Sequence, residues 1–200
     1  MDTDSKIDGE GQAKRLKLPT LDELPKHFPG CCMSLSNLIL SQITQILPRR
    51  PKFILSVGCG SGLFEALISQ YDTVLTIEGV EVYSDPPVNK YLPASHLTVV
   101  RGSWDLTGLA ACAAAWLFVY PREPKLVDRY LQTYGRSKDV EMVVWVGPKA
   151  DWVEFEPSFQ GSALNQIDIQ ANAVLAPYEM VVVARKRRIH TWYVYHISKI

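Results

Sequence analysis

Gly58, Gly60 and Gly62 alternate with Cys59 and Ser61 in a stretch that could hold a ligand against bare backbone. With no Cβ at every second position, a bound group can approach the main chain closely. An apolar run at residues 53–57 leads into this turn, and an amphipathic run at 63–71 leads out of it, so a strand would pass into a helix here. The unpaired N–H groups of a helix starting near Gly62 would face the same crevice. An acid belongs at the end of the next strand, where a carboxylate accepts from ribose hydroxyls. Glu81, within Gly79-Val80-Glu81-Val82, stands 19 residues after Gly62, close to the ~20 usual for such an acid. Glu78 competes for the role, but its place before Gly79 suits an inner-strand or edge residue. A dinucleotide fingerprint would need its third glycine where Leu63 stands, which speaks against NAD.

Other reactive side chains are sparser. In a doubly wound sheet the chemistry lies beyond the strand C-termini, which directs attention to Tyr120-Pro121-Arg122-Glu123-Pro124. Tyr120 could steer a substrate and Arg122 could clamp a substrate carboxylate, giving two candidate catalytic residues. The same segment also reads as a proline-stiffened turn with a solvated arginine. Asp151 and Trp152 would either line the pocket mouth or cap and pack the next helix. His27, His96, His190 and His196 are scattered without ligand spacing, so no metal is expected. Cys31, Cys32, Cys59 and Cys112 form neither a zinc nor a disulfide framework, which favours a reducing compartment. Arg185-Lys186-Arg187-Arg188 and Lys14-Arg15-Leu16-Lys17 read as a nuclear signal or phosphate patch, or as an ordinary charged hairpin tip and a charged arm.

At this point the chain resembles the class I S-adenosylmethionine (SAM)-dependent methyltransferases. The resemblance is carried by Ser56-Val57-Gly58-Cys59-Gly60-Ser61-Gly62-Leu63-Phe64-Glu65, by Gly79-Val80-Glu81-Val82, and by the third-strand run Val99-Val100-Arg101-Gly102-Ser103-Trp104-Asp105. It implies SAM as cofactor, lying over Gly58, Cys59, Gly60 and Gly62, with its ribose on Glu81 and its adenine against Ser103 and Trp104. It covers residues 35–197 in element order. Family members often carry an acidic or Asn-Pro-Pro-type motif after the fourth strand, and Tyr-Pro-Arg-Glu-Pro departs from it. The implied function is methyl transfer to an oxygen or nitrogen of a small molecule. Tryptophans 104, 116, 145 and 152 lean the acceptor towards an apolar one. Alternatives are the same fold used for a cyclisation or isomerisation in natural-product biosynthesis, or a non-catalytic binding protein.

The elements that must position these residues follow the same pattern. Residues 1–30 read as a disordered arm with local order near 21–28, and 31–200 as one SAM-binding domain. Ser34 would cap a helix carrying Leu35, Leu38, Ile39, Gln42, Ile43 and Ile46 at helical spacing. Strands are expected at 53–57, 74–82, 97–101, 114–120 and 140–146. Helices are expected at 63–71, 88–92, 105–112 and 125–134, the last stopped by Gly135. Residues 156–176 show weak patterning. Residues 178–186 and 189–197, parted by Arg187 and Arg188, would close the chain as an antiparallel hairpin. The expected fold class is therefore α/β: a doubly wound, mostly parallel seven-stranded sheet with a C-terminal antiparallel hairpin, in three αβα layers.

Composition bounds the rest. Hydrophobic residues make up 47% of 200, enough for a real core. Acidic and basic residues balance at 21 each, so no overall field draws nucleic acid or an anionic membrane. No apolar run reaches the ~18 residues of a membrane span, and residues 1–17 lack a signal-peptide core. The expectation is a cytoplasmic protein with a small-molecule partner, a nuclear location being the alternative that the basic runs leave open.

Overall fold

The computed structural model describes residues 16–170 and 174–187. In chain order the elements are α1 (Asn37–Ile46), β1 (Ile54–Val57), α2 (Leu63–Tyr71), β2 (Ile77–Val82), β3 (Leu97–Val100), β4 (Ala115–Val119), α3 (Pro124–Tyr134), β5 (Met142–Pro148), α4 (Trp152–Gln160), β6 (Gln166–Ile169) and β7 (Glu179–Arg185). Short 3-10 turns occupy Ala94–His96 and Gly108–Ala111. The seven strands form one sheet in the order β3-β2-β1-β4-β5-β7-β6. Strands β1 to β5 are mutually parallel, while β7 runs antiparallel to both β5 and β6.

Period-two alternation in the central strands divides the core between the two faces of the sheet. Leu117, Val144, Val146, Val181 and Val183 pack with Ile39, Ile43, Phe64 and Ile68 of α1 and α2. Their neighbours Trp116, Phe118, Val143, Trp145 and Val182 pack with Val127, Tyr130, Phe155 and Phe159 of α3 and α4. Continuous apolar runs such as Met142–Val146 arise because these strands are covered on both sides. Three of the tryptophans thought to favour an apolar acceptor, Trp116, Trp145 and Trp152, are buried in this second layer. Trp145 lies 5.2 Å from Trp152 and 5.4 Å from Phe155 between ring centroids, so these rings serve packing rather than acceptor recognition.

Several elements differ from expectation for identifiable reasons. Ser36, not Ser34, caps α1, its hydroxyl accepting from the Ile39 N–H at 3.2 Å. Residues 88–92 form no helix, because the Asn89 side chain bonds both the N–H and the C=O of Leu92 and closes a local turn instead. Residues 105–112 hold only one 3-10 turn. The weakly patterned stretch after β5 contains α4 and then β6, an edge strand whose mostly exposed Gln-Ile-Asp-Ile sequence carries no clean alternation. Within the described residues β7 thus pairs antiparallel with β5 and with β6, both of which precede it. The expected strand at 189–197 lies outside the described residues.

Of the segment read as an arm, residues 1–15 lie outside the described residues and 16–30 run irregularly along the α1–α2 layer. Leu21 is buried there, with Leu18 and Phe28 packed beside it. Lys26 and Leu35 form an isolated antiparallel bridge, and the Asn37 N–H donates to the Asp22 carbonyl at 2.8 Å.

Candidate functional site

The glycine turn sits at the C-terminal edge of the parallel strands, between β1 and α2. Gly58, Gly60 and Gly62 take φ of +75°, +56° and +75°, a region costly for any residue with a Cβ. The three glycines divide the work. A Cβ on Gly58 or Gly60 would meet nothing within 4 Å, so this backbone borders open space. A Cβ on Gly62 would lie 2.6 Å from Asn89 Oδ1 and 2.9 Å from Leu92 Cγ, so Gly62 serves the turn and its packing. The Cys59 side chain points inward, with its Sγ 2.8 Å from where a Cβ on Gly79 would stand.

Glu81, the penultimate residue of β2, faces the turn. The Gly60 N–H donates to its Oε2 at 2.5 Å, and the Val82 N–H donates to its Oε1 at 2.8 Å. Two backbone donors hold the carboxylate in place, and it keeps lone pairs for further donors. Glu78, the competing acid, is turned away and meets His96 Nδ1 at 3.0 Å. Beside the turn, Gly58, Glu81 and Ser103 share a small cavity of about 40 Å³ walled by Val57, Val80, Val82, Val100, Leu126 and Tyr130. Asp105 shapes this corner by accepting from the N–H groups of Arg101 and Gly102 at 3.2 and 3.0 Å. Trp104 is exposed and outside the cavity lining, its carbonyl accepting from Arg129.

Ser61 ties the turn to two distant segments. Its hydroxyl donates to the Gly30 carbonyl at 2.7 Å, and its own carbonyl accepts from the N–H groups of Lys90 and Tyr91 at 2.9 and 3.1 Å.

Beneath the turn lies Glu65, only 2% exposed, in the first turn of α2. The Ser56 hydroxyl donates to its Oε1 at 2.6 Å, while Oε2 has no partner. Burial pushes this carboxyl up to about 7, with the Ser56 hydroxyl pulling in the opposite direction. Burial, and next to it the Glu65 charge, also raises the Cys31 thiol to about 12 and the Cys59 thiol further still. Both thiols are therefore protonated at neutral pH and poor nucleophiles.

Tyr120 follows β4 at φ +52°, a strained conformation for a tyrosine. Its N–H donates to the Val146 carbonyl at 2.7 Å, and its hydroxyl to Glu179 Oε1 at 2.5 Å. Burial first, and then Glu179, moves the phenol well above its usual range, so Tyr120 is a hydrogen-bond donor and no base. Glu179 itself is buried and gathers further donors: the Ser34 N–H at 2.9 Å, the Ser34 hydroxyl and the Ala176 N–H at 3.1 Å. This carboxylate joins the segment before α1, the end of β4 and the approach to β7. Arg122 is exposed, two residues beyond Tyr120. Asp151, at the N-terminus of α4, makes no side-chain cap bond, and Trp152 packs in the core.

Comparison with solved structures bears on the fold. A precorrin-6Y C5,15-methyltransferase from Geobacter metallireducens superposes with a TM-score of 0.55 at 10% identity, over 84% of this chain and 98% of that one. A putative O-methyltransferase from Nostoc punctiforme gives 0.55 at 16% identity over 74% of this chain, which spans only 55% of that protein. The methyltransferase domain of bacterial CtHen1 gives 0.53 at 11% identity, over 76% and 98%. The fold is that of the class I SAM-dependent methyltransferases. No protein-family model matches the sequence, and no curated protein does. Among the described residues no helix is long and apolar enough to cross a membrane.

The sequence therefore indicated the turn, Glu81 and Ser103, which the fold brings together, along with Tyr120 near a separate carboxylate. It gave Glu65 no role beyond the motif, read Ser34 only as a helix cap, and missed Glu179. Glu179 had a signal: it alternates in register with the inward-facing Val181 and Val183.

Proposed function

We propose that this chain is a SAM-dependent methyltransferase acting on an oxygen or nitrogen of a small molecule. The observation that carries this reading is the Glu81 carboxylate fixed against Gly60, beside backbone at Gly58 and Gly60 that borders open space. Such an arrangement suits an adenosyl ligand: a ribose diol can donate to Glu81 while its edge rests on the glycines. Ser103 and the valines of the neighbouring cavity suit the adenine. Gly62 and Cys59 support the turn from within, and Trp104 could reach a ligand only from its exposed position at the rim.

Charge adds a second line of support. The buried Glu65 in the first turn of α2 makes that helix end a poorer seat for a pyrophosphate. Carboxylates in a poorly solvated setting favour a cationic ligand instead. Bound SAM supplies a methyl group activated by its sulfonium. The protein then has to align an acceptor and keep water out, with little need of a strong base. Tyr120 is held rigidly by Glu179 and can orient an acceptor by donating or packing, while exposed Arg122 suits an acceptor carboxylate.

Calorimetric titration with SAM tests the reading. Wild-type protein is expected to bind, and Glu81→Ala to bind roughly ten- to a hundredfold more weakly, as loss of hydrogen bonds to a charged group implies. Gly60→Val is expected to abolish binding, since it fills the cradle and forbids φ +56°. Affinity weaker than millimolar in the wild type would end the proposal. Transfer of label from methyl-labelled SAM to a metabolite extract would then identify the acceptor.

A further inference from the structure

At the opposite edge of the sheet the fold assembles a feature that composition conceals. The whole chain carries no formal net charge. Yet Arg49, Arg50 and Lys52 before β1, Lys138 before β5, and Arg185 and Lys186 ending β7 line one groove of about 690 Å³. Glu141 is the one carboxylate lining it. Of the basic run at 185–188, Arg185 and Lys186 line this groove, while Arg188 lies outside the described residues. Register explains the convergence: Arg185 pairs with Met142, so the end of β7 lies beside the start of β5, two strands from β1.

Local acids neutralise only part of this charge. Lys52 meets Glu141 at 2.5 Å, and Arg49 meets Asp72 at 2.9 Å while remaining half exposed. Asp139 lies next to Lys138 in sequence and acts electrostatically on Lys186, whose ammonium donates to the Ser137 carbonyl at 2.5 Å. Arg50 donates its Nε to Thr76 Oγ1 at 2.9 Å, and among the described residues it has no ion-pair partner. Among the described residues Lys138 and Arg185 have no ion-pair partner, and exposed Arg187 continues the run.

We infer that this groove binds the phosphodiester backbone of single-stranded RNA, at a site remote from the glycine turn. Cations on both walls of a concavity suit one anionic strand laid between them, and arginines suit its phosphates. Among the described residues no aromatic side chain lines the groove, so the contacts these residues offer are to phosphates rather than to base faces. Glu141 selects the sugar: with one oxygen held by Lys52, its carboxylate can accept on the other from a 2′-hydroxyl, which DNA lacks.

Full-length protein titrated into a fluorescein-labelled mixed-sequence RNA 20-mer tests this by anisotropy. At low salt a micromolar-range affinity is expected. It should fall with a log–log salt slope of about −3, which is roughly four phosphates at −0.7 each. Lys138→Glu with Arg185→Glu is expected to weaken binding at least about tenfold at an unchanged urea midpoint. Should that pair fail to fold, Lys138→Gln with Arg185→Gln is expected to lower the slope by about 1.4. No RNA binding at low salt, or equal binding by the variants, overturns the inference. Equal affinity for DNA of the same sequence overturns the ribose assignment, and binding confined to phosphatidylserine vesicles overturns nucleic acid altogether. SAM affinity, read separately, bears on the methyltransferase reading alone, so either proposal can fail without the other.

Discussion

Enclosure leaves the Glu65 carboxyl with a single donor, the Ser56 hydroxyl, and moves it up to about 7. The sign of its effect on stability follows directly. Between the ordinary value near 4.5 and about 7, the folded chain keeps a proton that the unfolded chain has lost. Stability therefore falls as pH rises through that window, by about 3 kcal/mol in all. In Glu65→Gln this component is expected to vanish, which urea midpoints at pH 5 and pH 8 would check. An unchanged pH slope in the variant would assign the titration elsewhere. A cationic ligand favours the ionised carboxylate, so SAM is expected to bind more tightly at pH 8 than at pH 6. S-adenosylhomocysteine, which lacks the sulfonium charge, should respond less. At Glu179, Tyr120→Phe removes one donor and is expected to cost about 1 kcal/mol, whereas Glu179→Ala strands several donors and should cost about 3 kcal/mol or more. Glu81 was legible because its spacing from the glycines is a chemical requirement. Glu65 was not, because an acid in the first turn of a helix ordinarily complements the macrodipole and says nothing of burial.

Elements were legible in proportion to how completely they are buried. β4 and β5 appear within two residues of the expected runs, since both faces demand apolar side chains. β6 escaped because an edge strand with one weakly covered face has no pattern to enforce. The start of α1 shows a different limit: Ser34 and Ser36 are equally good caps in sequence, and only the tertiary claim of Glu179 on Ser34 separates them. Ser36→Ala is therefore expected to lower stability by about 1 kcal/mol through lost capping alone, measurable by urea denaturation. Ser34→Ala should cost more, because it removes a donor from a buried carboxylate.

At the scale of the sheet, a set of enclosed carboxylates and the basic groove lie at opposite ends, with Arg122 also standing at the first end and Asp72 and Glu141 at the second. Glu65, Glu81 and Glu179 gather where the parallel strands end, and Arg49, Arg50, Lys52 and Lys138 where they begin. Balanced totals hid this, because polarity of placement leaves no trace in a sum. The attachment of Ser61 to Gly30 on one side and to Lys90 and Tyr91 on the other has a consequence for how the protein can change. Both tethers are anchored to the same link of the glycine turn, so neither can be lengthened or shortened without tugging on the seat proposed for SAM. Insertions near residue 30 or residue 90 are expected to alter SAM affinity even though neither segment bears a proposed contact. Amide exchange at Lys90 and Tyr91 is expected to slow on SAM binding, reporting from outside the pocket that it has been filled.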